Sequence, residues 1–143
     1  MPYPDVLTQP MREELTEIGF RELKTAADVD QAVNSPGVVM LVVNSVCGCA
    51  AGRARPGIAD ALKHTSRPGV LTTVFAGADV EATARARRYF AGYGPSSPSL
   101  ALLKDGKLLY MMERKNIEIR SAEEISAELR AAFDTFCASA VPQ

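Results

Sequence analysis

Cys47 and Cys49, separated by Gly48 alone in Val46-Cys47-Gly48-Cys49-Ala50, are the residues whose type and spacing point most directly to chemistry. Thiol–disulfide exchange needs a thiolate to attack a disulfide and a second thiol to release the mixed intermediate. Both parts stand here within three residues. A cysteine that opens a helix also meets unsatisfied backbone N–H groups and the positive end of the helix dipole, which lower its pKa. Cys47 lies where a helix is expected to begin. Arg53 and Arg55 would add positive charge nearby, although arginines on a helix are more often solvated. A disulfide closed over one residue makes a ring three backbone atoms smaller than a Cys-x-x-Cys ring, and Gly48 relaxes the backbone enough for it to close. Strain in that ring makes a Cys47–Cys49 disulfide expected to form and to be more oxidising than a Cys-x-x-Cys disulfide.

Other uses of the pair fit less well. Zinc or an iron–sulfur cluster usually takes four ligands, and the remaining soft candidates are Cys137 and the single His64. No metal is therefore expected. Inert burial is disfavoured because the pair leaves a strand for a loop between small residues. Cys137 falls close to the apolar stripe of the last helix and reads as a core or semi-exposed thiol. His64, near a helix end, reads as a charge partner or a solvated residue. Tyr89, Phe90 and Tyr93 read as packing residues. Carboxylate pairs for acid–base work, nucleophilic serine signatures and phosphate-binding glycine loops do not stand out.

The elements that must position the pair can be read from periodicity. Pro2, Pro4 and Pro10 make residues 1–10 an expected irregular segment. Met11, Leu15 and Ile18 are spaced as an amphipathic helix ending at Gly19, and Phe20 to Leu23 reads as a short strand. Thr25 and Asp28 cap a helix carrying Val29, Ala32 and Val33. Val38 to Val43 is an aliphatic run without alternation, the pattern of a strand buried on both faces. The cysteines follow it directly. Ala50 to His64 reads as a helix with Ile58 and Leu62 inward and Pro56 bending or interrupting it. Val70 to Ala76 is a second buried strand, Asp79 caps a helix to about Ala91, and Gly92 to Pro98 is a loop. Ser99 to Leu103 and Lys107 to Met112 flank Lys104-Asp105-Gly106, a hairpin signal. Ser121 to Glu124 is a capping box opening a last helix with Ile125, Leu129, Ala132, Phe133 and Phe136 on one face. The order predicts an α/β fold, a mixed sheet with helices on both faces. In such a sheet, chemistry is expected where a loop leaves the carboxyl end of a central strand.

Composition sets the outer bounds. A chain of 143 residues, 47% of them hydrophobic, is the size of one domain (1–143) and can build a core without disulfide staples. Sixteen basic against seventeen acidic residues leave a charge of −1, which gives no electrostatic reason to expect nucleic acid or an anionic membrane. No run of about 18 apolar residues exists, and Met1-Pro2-Tyr3-Pro4-Asp5 lacks the pattern of a secretory signal. Three cysteines, two of them adjacent but one, make a poor structural framework. A reducing, cytoplasmic location is expected.

Several blocks together resemble the bacilliredoxin family. They are Val43-Asn44-Ser45-Val46-Cys47-Gly48-Cys49-Ala50-Ala51-Gly52 with Ala54-Arg55-Pro56, then Thr73 to Gly77, Pro95-Ser96-Ser97-Pro98-Ser99, Ala101 to Gly106 and Arg120-Ser121-Ala122. Met11 to Leu15 and Phe136-Cys137 fit as well, so the likeness spans about Met11 to Cys137. Gly94 and Ile119 depart from it, where proline and glycine are common. The resemblance implies a thioredoxin-like fold and removal of a low-molecular-weight thiol, bacillithiol in that family, from mixed disulfides on protein substrates. Carried onto this chain, Cys47 would be the nucleophile and Cys49 the resolving cysteine. A trans bond is the general default for X-Pro, with cis in only about 5–6% of folded cases. The resemblance instead implies a cis Pro98, with the Ser97 backbone held open to an extended substrate segment. No cofactor is implied beyond the exchanged thiol as co-substrate. A general protein disulfide reductase or isomerase, and a non-catalytic metal-binding or scaffold domain, stand as alternatives.

Overall fold

The computed structural model describes residues 2–137. Met1 and residues 138–143 of the expected 1–143 domain lie outside the described residues. The elements are α1 (Asp5–Thr16), β1 (Arg21–Glu22), α2 (Ala26–Val33), β2 (Val38–Asn44), a π-helical segment (Ala50–Ala54), α3 (Arg55–Ala61), β3 (Val70–Phe75), α4 (Val80–Arg88), β4 (Ser99–Lys104), β5 (Lys107–Met112), α5 (Arg114–Ile117) and α6 (Ala122–Phe136). One sheet of order β1-β3-β2-β4-β5 holds them together. The first three strands pair in parallel, while β4 runs antiparallel to β2 and β5 antiparallel to β4.

The run in β2 lacks alternation because both faces are covered. Met40 and Val42 join Leu15, Ile58, Leu100, Leu102, Ile125, Leu129 and Phe133 on the face covered by α1, α3 and α6. Leu41 and Val43 join Val29, Val33, Val74, Ala82, Ala86, Ala101 and Leu103 on the face covered by α2 and α4. Each face removes its strand side chains from water, which drives the layers together. Locally encoded features appear as expected. Thr25 and Ser121 each accept a hydrogen bond from the third backbone N–H of their helices. Asp105 (φ 53°) and Gly106 (φ 76°) carry the β4–β5 turn in the left-handed region.

Three expectations are corrected. Residues 1–10 are not irregular throughout, since α1 begins at Asp5 and contains Pro10. Pro10 and Val6 are both exposed, so the carbonyl that Pro10 cannot serve faces water, while Arg12 and Leu15 on the other side are buried. Asp79 precedes α4 but does not cap it; its carboxylate turns to Arg12, at 2.9 Å from both terminal nitrogens, and to the Phe75 N–H. Tyr93 is exposed, at 43%, rather than packed. Among the described residues, no helix is long and apolar enough to cross a membrane.

Pro56 does interrupt its helix, and in a specific way. The Arg55 N–H bonds back five residues to the Ala50 carbonyl, so the helix widens into a π turn just before the proline. Pro56 has no N–H for the Gly52 carbonyl, and its ring would crowd that carbonyl in a regular α turn. Beyond it, α3 packs closely on α6 at Gly57, where a Cβ would fall 2.7 Å from the Ile125 side chain and 3.0 Å from the Ala122 carbonyl. Gly57→Ala is expected to force the two helices apart and to cost about 1–3 kcal/mol in thermal or urea unfolding. Unchanged stability would show that the contact is not tight.

Candidate active site

Strand register assembles the site. Asn44 ends β2, and the segment Ser45-Val46-Cys47 leaves the carboxyl end of this central strand. Because β4 is antiparallel, its first residue, Ser99, pairs with Val43 at the same end and brings the Ser97-Pro98 segment alongside. Met112 at the end of β5 pairs with Leu100, so α5 also begins at this edge. Asn44 pairs with Phe75, which adds the β3–α4 turn. The N-terminal segment completes the rim, with the Tyr3 N–H donating to the Gly77 carbonyl at 2.9 Å. The result is a groove of about 370 Å³ that includes Tyr3, Ser45, Cys47, Arg87, Ser97 and Arg114 in its walls.

A buried polar network fixes the strand end from beneath. The Arg55 guanidinium, 3% exposed, donates to Asn44 Oδ1 at 2.9 Å and to the Ser45 carbonyl at 3.0 Å, and it pairs with Glu14 at 2.9 Å. Asn44 Nδ2 donates to the Met11 carbonyl at 3.1 Å, and Asn44 Oδ1 also accepts from the Ser45 N–H at 2.9 Å. Arg55 is thus a positioning group rather than a solvated helix arginine. Arg53 reaches away to the Arg120 carbonyl at 2.6 Å. The guanidinium whose charge lowers the Cys47 thiol is that of Arg114 on α5.

The two thiols differ in their surroundings. Cys47 is half-buried, and its carbonyl accepts from the N–H groups of Ala50 and Ala51 at 3.1 and 3.3 Å. Its own N–H donates to Ser45 Oγ at 3.2 Å, which leaves the Ser45 hydroxyl proton free to face sulfur. Burial by itself would raise the Cys47 pKa. The Ser45 hydroxyl, the Ala50 and Cys49 N–H groups and the Arg114 charge outweigh it, and the thiol is lowered from its ordinary value. Cys49 is held up instead, by burial, by the neighbouring Cys47 charge and by its hydrogen bond to Cys47. It packs against the α1/α3/α6 core cluster. Of the two, Cys47 is therefore the one that gives up its proton more readily. Both are free thiols here.

Gly48 is exposed, lies outside the left-handed region, and has no atom within 4 Å of where a Cβ would sit. Nothing in the dithiol form requires glycine there. The Ser97–Pro98 bond is cis, Pro98 is buried, and Ser97 faces the same groove as Cys47. The structure thus gathers Cys47, Cys49, Gly48, Ser97 and Pro98 at one end of the sheet. Cys137 stands apart in the core, where burial pushes its thiol up to about 11. His64 pairs with Asp134 at 2.8 Å. Among the described residues, no three His, Cys, Asp or Glu side chains gather as a metal site.

Sequence reasoning missed Arg114, Ser45, Tyr3 and Arg87. The one local signal for the Arg114 helix is the spacing of Glu113 and Asn116, where the Asn116 side-chain Oδ1 accepts the Glu113 N–H at 2.9 Å. Ser45 stands two residues before Cys47 and accepts the Cys47 N–H locally, while Tyr3 and Arg87 reach the groove through tertiary pairing.

Comparisons with known proteins agree with this geometry. Residues 3–137 match the family described as Disulphide isomerase. The chain is 55% identical over 136 residues to a bacilliredoxin of Koribacter versatilis, covering 94% of each. It is 53% identical over 135 residues to one of Geobacillus kaustophilus, covering 94% of this chain and 92% of that one. Among solved structures it resembles mitochondrial thioredoxin 3 of Saccharomyces cerevisiae, with TM-score 0.57, 13% identity, and coverage of 85% of this chain and 98% of that one. A thioredoxin of Malassezia sympodialis gives TM-score 0.56 at 15% identity, covering 82% and 90%. At those identities the likeness is one of fold. The chain belongs to the bacilliredoxin family and is a thiol–disulfide oxidoreductase of thioredoxin-like fold.

Proposed function

We propose that this protein removes a low-molecular-weight thiol, bacillithiol or a close equivalent, from mixed disulfides on cytoplasmic proteins. The observation that carries the reading is the asymmetry of the pair, a lowered Cys47 beside a raised Cys49 at the mouth of a groove. Cys47 is the attacking thiolate and takes the small thiol onto its sulfur. Cys49 keeps its proton until that transfer removes the Cys47 charge, and then resolves the new mixed disulfide. Ser97, ahead of cis-Pro98, offers its backbone to an extended substrate segment. No organic cofactor or metal enters the reaction, and neither nucleic acid nor a membrane is a partner.

The family description as a disulphide isomerase favours a second reading, exchange on ordinary protein disulfides through the same pair. Mass spectrometry of the reduced protein after incubation with a bacillithiolated protein separates the two. The small thiol should leave the substrate and appear on Cys47 before Cys49 displaces it, with the substrate thiol set free and a Cys47–Cys49 disulfide left behind. A folded, reduced sample that leaves that substrate untouched yet reduces a plain protein disulfide would establish the second reading and remove the first.

A further inference from the structure

We infer that the groove beside Cys47 recognises a carboxylate on the small thiol, with Arg87 and Arg114 as the groups that bind it; this rests on the redoxin reading above. The groove is small-molecule sized at about 370 Å³, and among the described residues its walls include two guanidiniums and no carboxylate. Arg87 and its neighbour Arg85 sit on the same helix and differ sharply. Arg85 is satisfied, with a two-pronged pairing to Asp30 at 2.7 and 2.9 Å. Arg87 has one long bond, 3.4 Å to the Ser96 carbonyl, and its buried Nε has no partner. The adjacent Ser96 hydroxyl is also buried without a partner. Burial pushes the Arg87 guanidinium below its ordinary value, and among the described residues no acidic group offsets this. Arg87 is half-buried, and a guanidinium whose Nε is buried without a partner at the edge of a groove is suited to receive an anion.

Arg114 supplies the second contact. Its Nε pairs with Glu118 at 3.1 Å, and a terminal nitrogen lies 3.4 Å from the Ser97 carbonyl, close to where a substrate segment would run. Its field already acts on Cys47.

Holding the small thiol decides which sulfur is attacked. In the mixed disulfide protein–S–S–R, the Cys47 thiolate can strike either sulfur, and the outcome differs. With the carboxylate of R bound, attack falls on the sulfur of R. A bond forms between Cys47 sulfur and the sulfur of R, the original S–S bond breaks, and the protein leaves as a thiolate that takes a proton from water. The disulfide oxidation level passes from substrate to enzyme, so this step needs no external reductant.

The test uses the full chain and one carrier protein bearing 3-mercaptopropionate, 2-mercaptoethanol or cysteamine as its mixed disulfide. Transfer rate constants to Cys47 are read by acid quench and mass spectrometry. The anionic thiol should transfer about tenfold faster than the neutral one, with the cationic thiol slowest. Arg87→Gln should lower the anionic-to-neutral ratio about tenfold, and Arg87→Lys should restore much of it. Added salt should slow the anionic substrate of the unmodified protein and speed the cationic one, a readout that needs no variant. Equal rates for all three thiols, or a ratio unmoved by Arg87→Gln in a folded protein, would overturn the inference and leave the redoxin reading standing. A preference that follows acidic residues on the carrier would reassign the arginines to the protein substrate. Failure to transfer any of the three would remove both readings.

Discussion

Cys47→Ser is expected to abolish thiol transfer, a loss of at least about a thousandfold, while Cys49→Ser should still accept the small thiol and stop there. The difference follows from the roles proposed for two residues only one position apart. Serine in place of Cys47 removes the one sulfur that combines a lowered pKa with access to the groove. Serine in place of Cys49 leaves that thiolate intact and removes the group that would displace the bound thiol. A stable adduct on Cys47 in the second variant, with the mass of the small thiol, is the diagnostic result. Full turnover by Cys47→Ser would exclude the assignment.

The pH dependence of the same step has a worked sign. The transfer rate should rise with pH and level off below the range of an ordinary cysteine, about 8.5, because Cys47 is held below its usual value. Arg114→Gln removes one source of that lowering, so the inflection should move upward. Cys137, at about 11, is a thiol throughout this range and should be alkylated last. An inflection at or above 8.5 would show that burial outweighs the hydrogen bonds at Cys47.

What was legible in the sequence was what is encoded locally. The Val38–Val43 run, the Asp105-Gly106 turn and the capping residues Thr25 and Ser121 each act within a few residues of themselves, and each is where it was expected. The cysteine pair was legible because its spacing is itself the chemistry. Arg114 was not, since only the antiparallel return of β4 and β5 brings residue 114 back to residue 47. Asp79 reads as a cap from its place before a helix, but a buried guanidinium is a stronger demand on a carboxylate than a backbone N–H. Pro2, Pro4 and Pro10 alone point to an irregular segment over 1–10, whereas burial of Leu15 and Arg12 on one side of α1 decides the conformation from Asp5 onward. Arg55 looked like surface charge in a line of letters and is instead the pin beneath the active loop.

Asp79→Ala is expected to be the most destabilising single change considered, at about 3–5 kcal/mol, because it leaves Arg12 buried and short of its principal counter-charge. Arg12 is 4% exposed and Asp79 8%, and the two share a pair of 2.9 Å bonds. Arg12 also bonds Glu22 and Thr8, and it lies 5.1 Å from the centre of the Phe75 ring. Burial alone would raise the Asp79 pKa, but Arg12, Lys24 and the Phe75 N–H outweigh it and hold the carboxyl below its usual range. A depressed carboxylate stabilises the fold above its unfolded pKa, about 3.9, and that contribution is lost as pH falls through the lower native value. The stability gap between the unmodified protein and Asp79→Ala should therefore be flat from about pH 5 to 8 and narrow below about pH 4. Urea unfolding across that range measures it. Because Arg12 ties α1 to the β3–α4 turn, and α1 also supplies Glu14 to Arg55 and follows Tyr3, the variant should lose transfer activity at temperatures where most of the sheet is still folded. Loss of activity and of global fold at one and the same temperature would show instead that α1 belongs to the single cooperative unit of the domain.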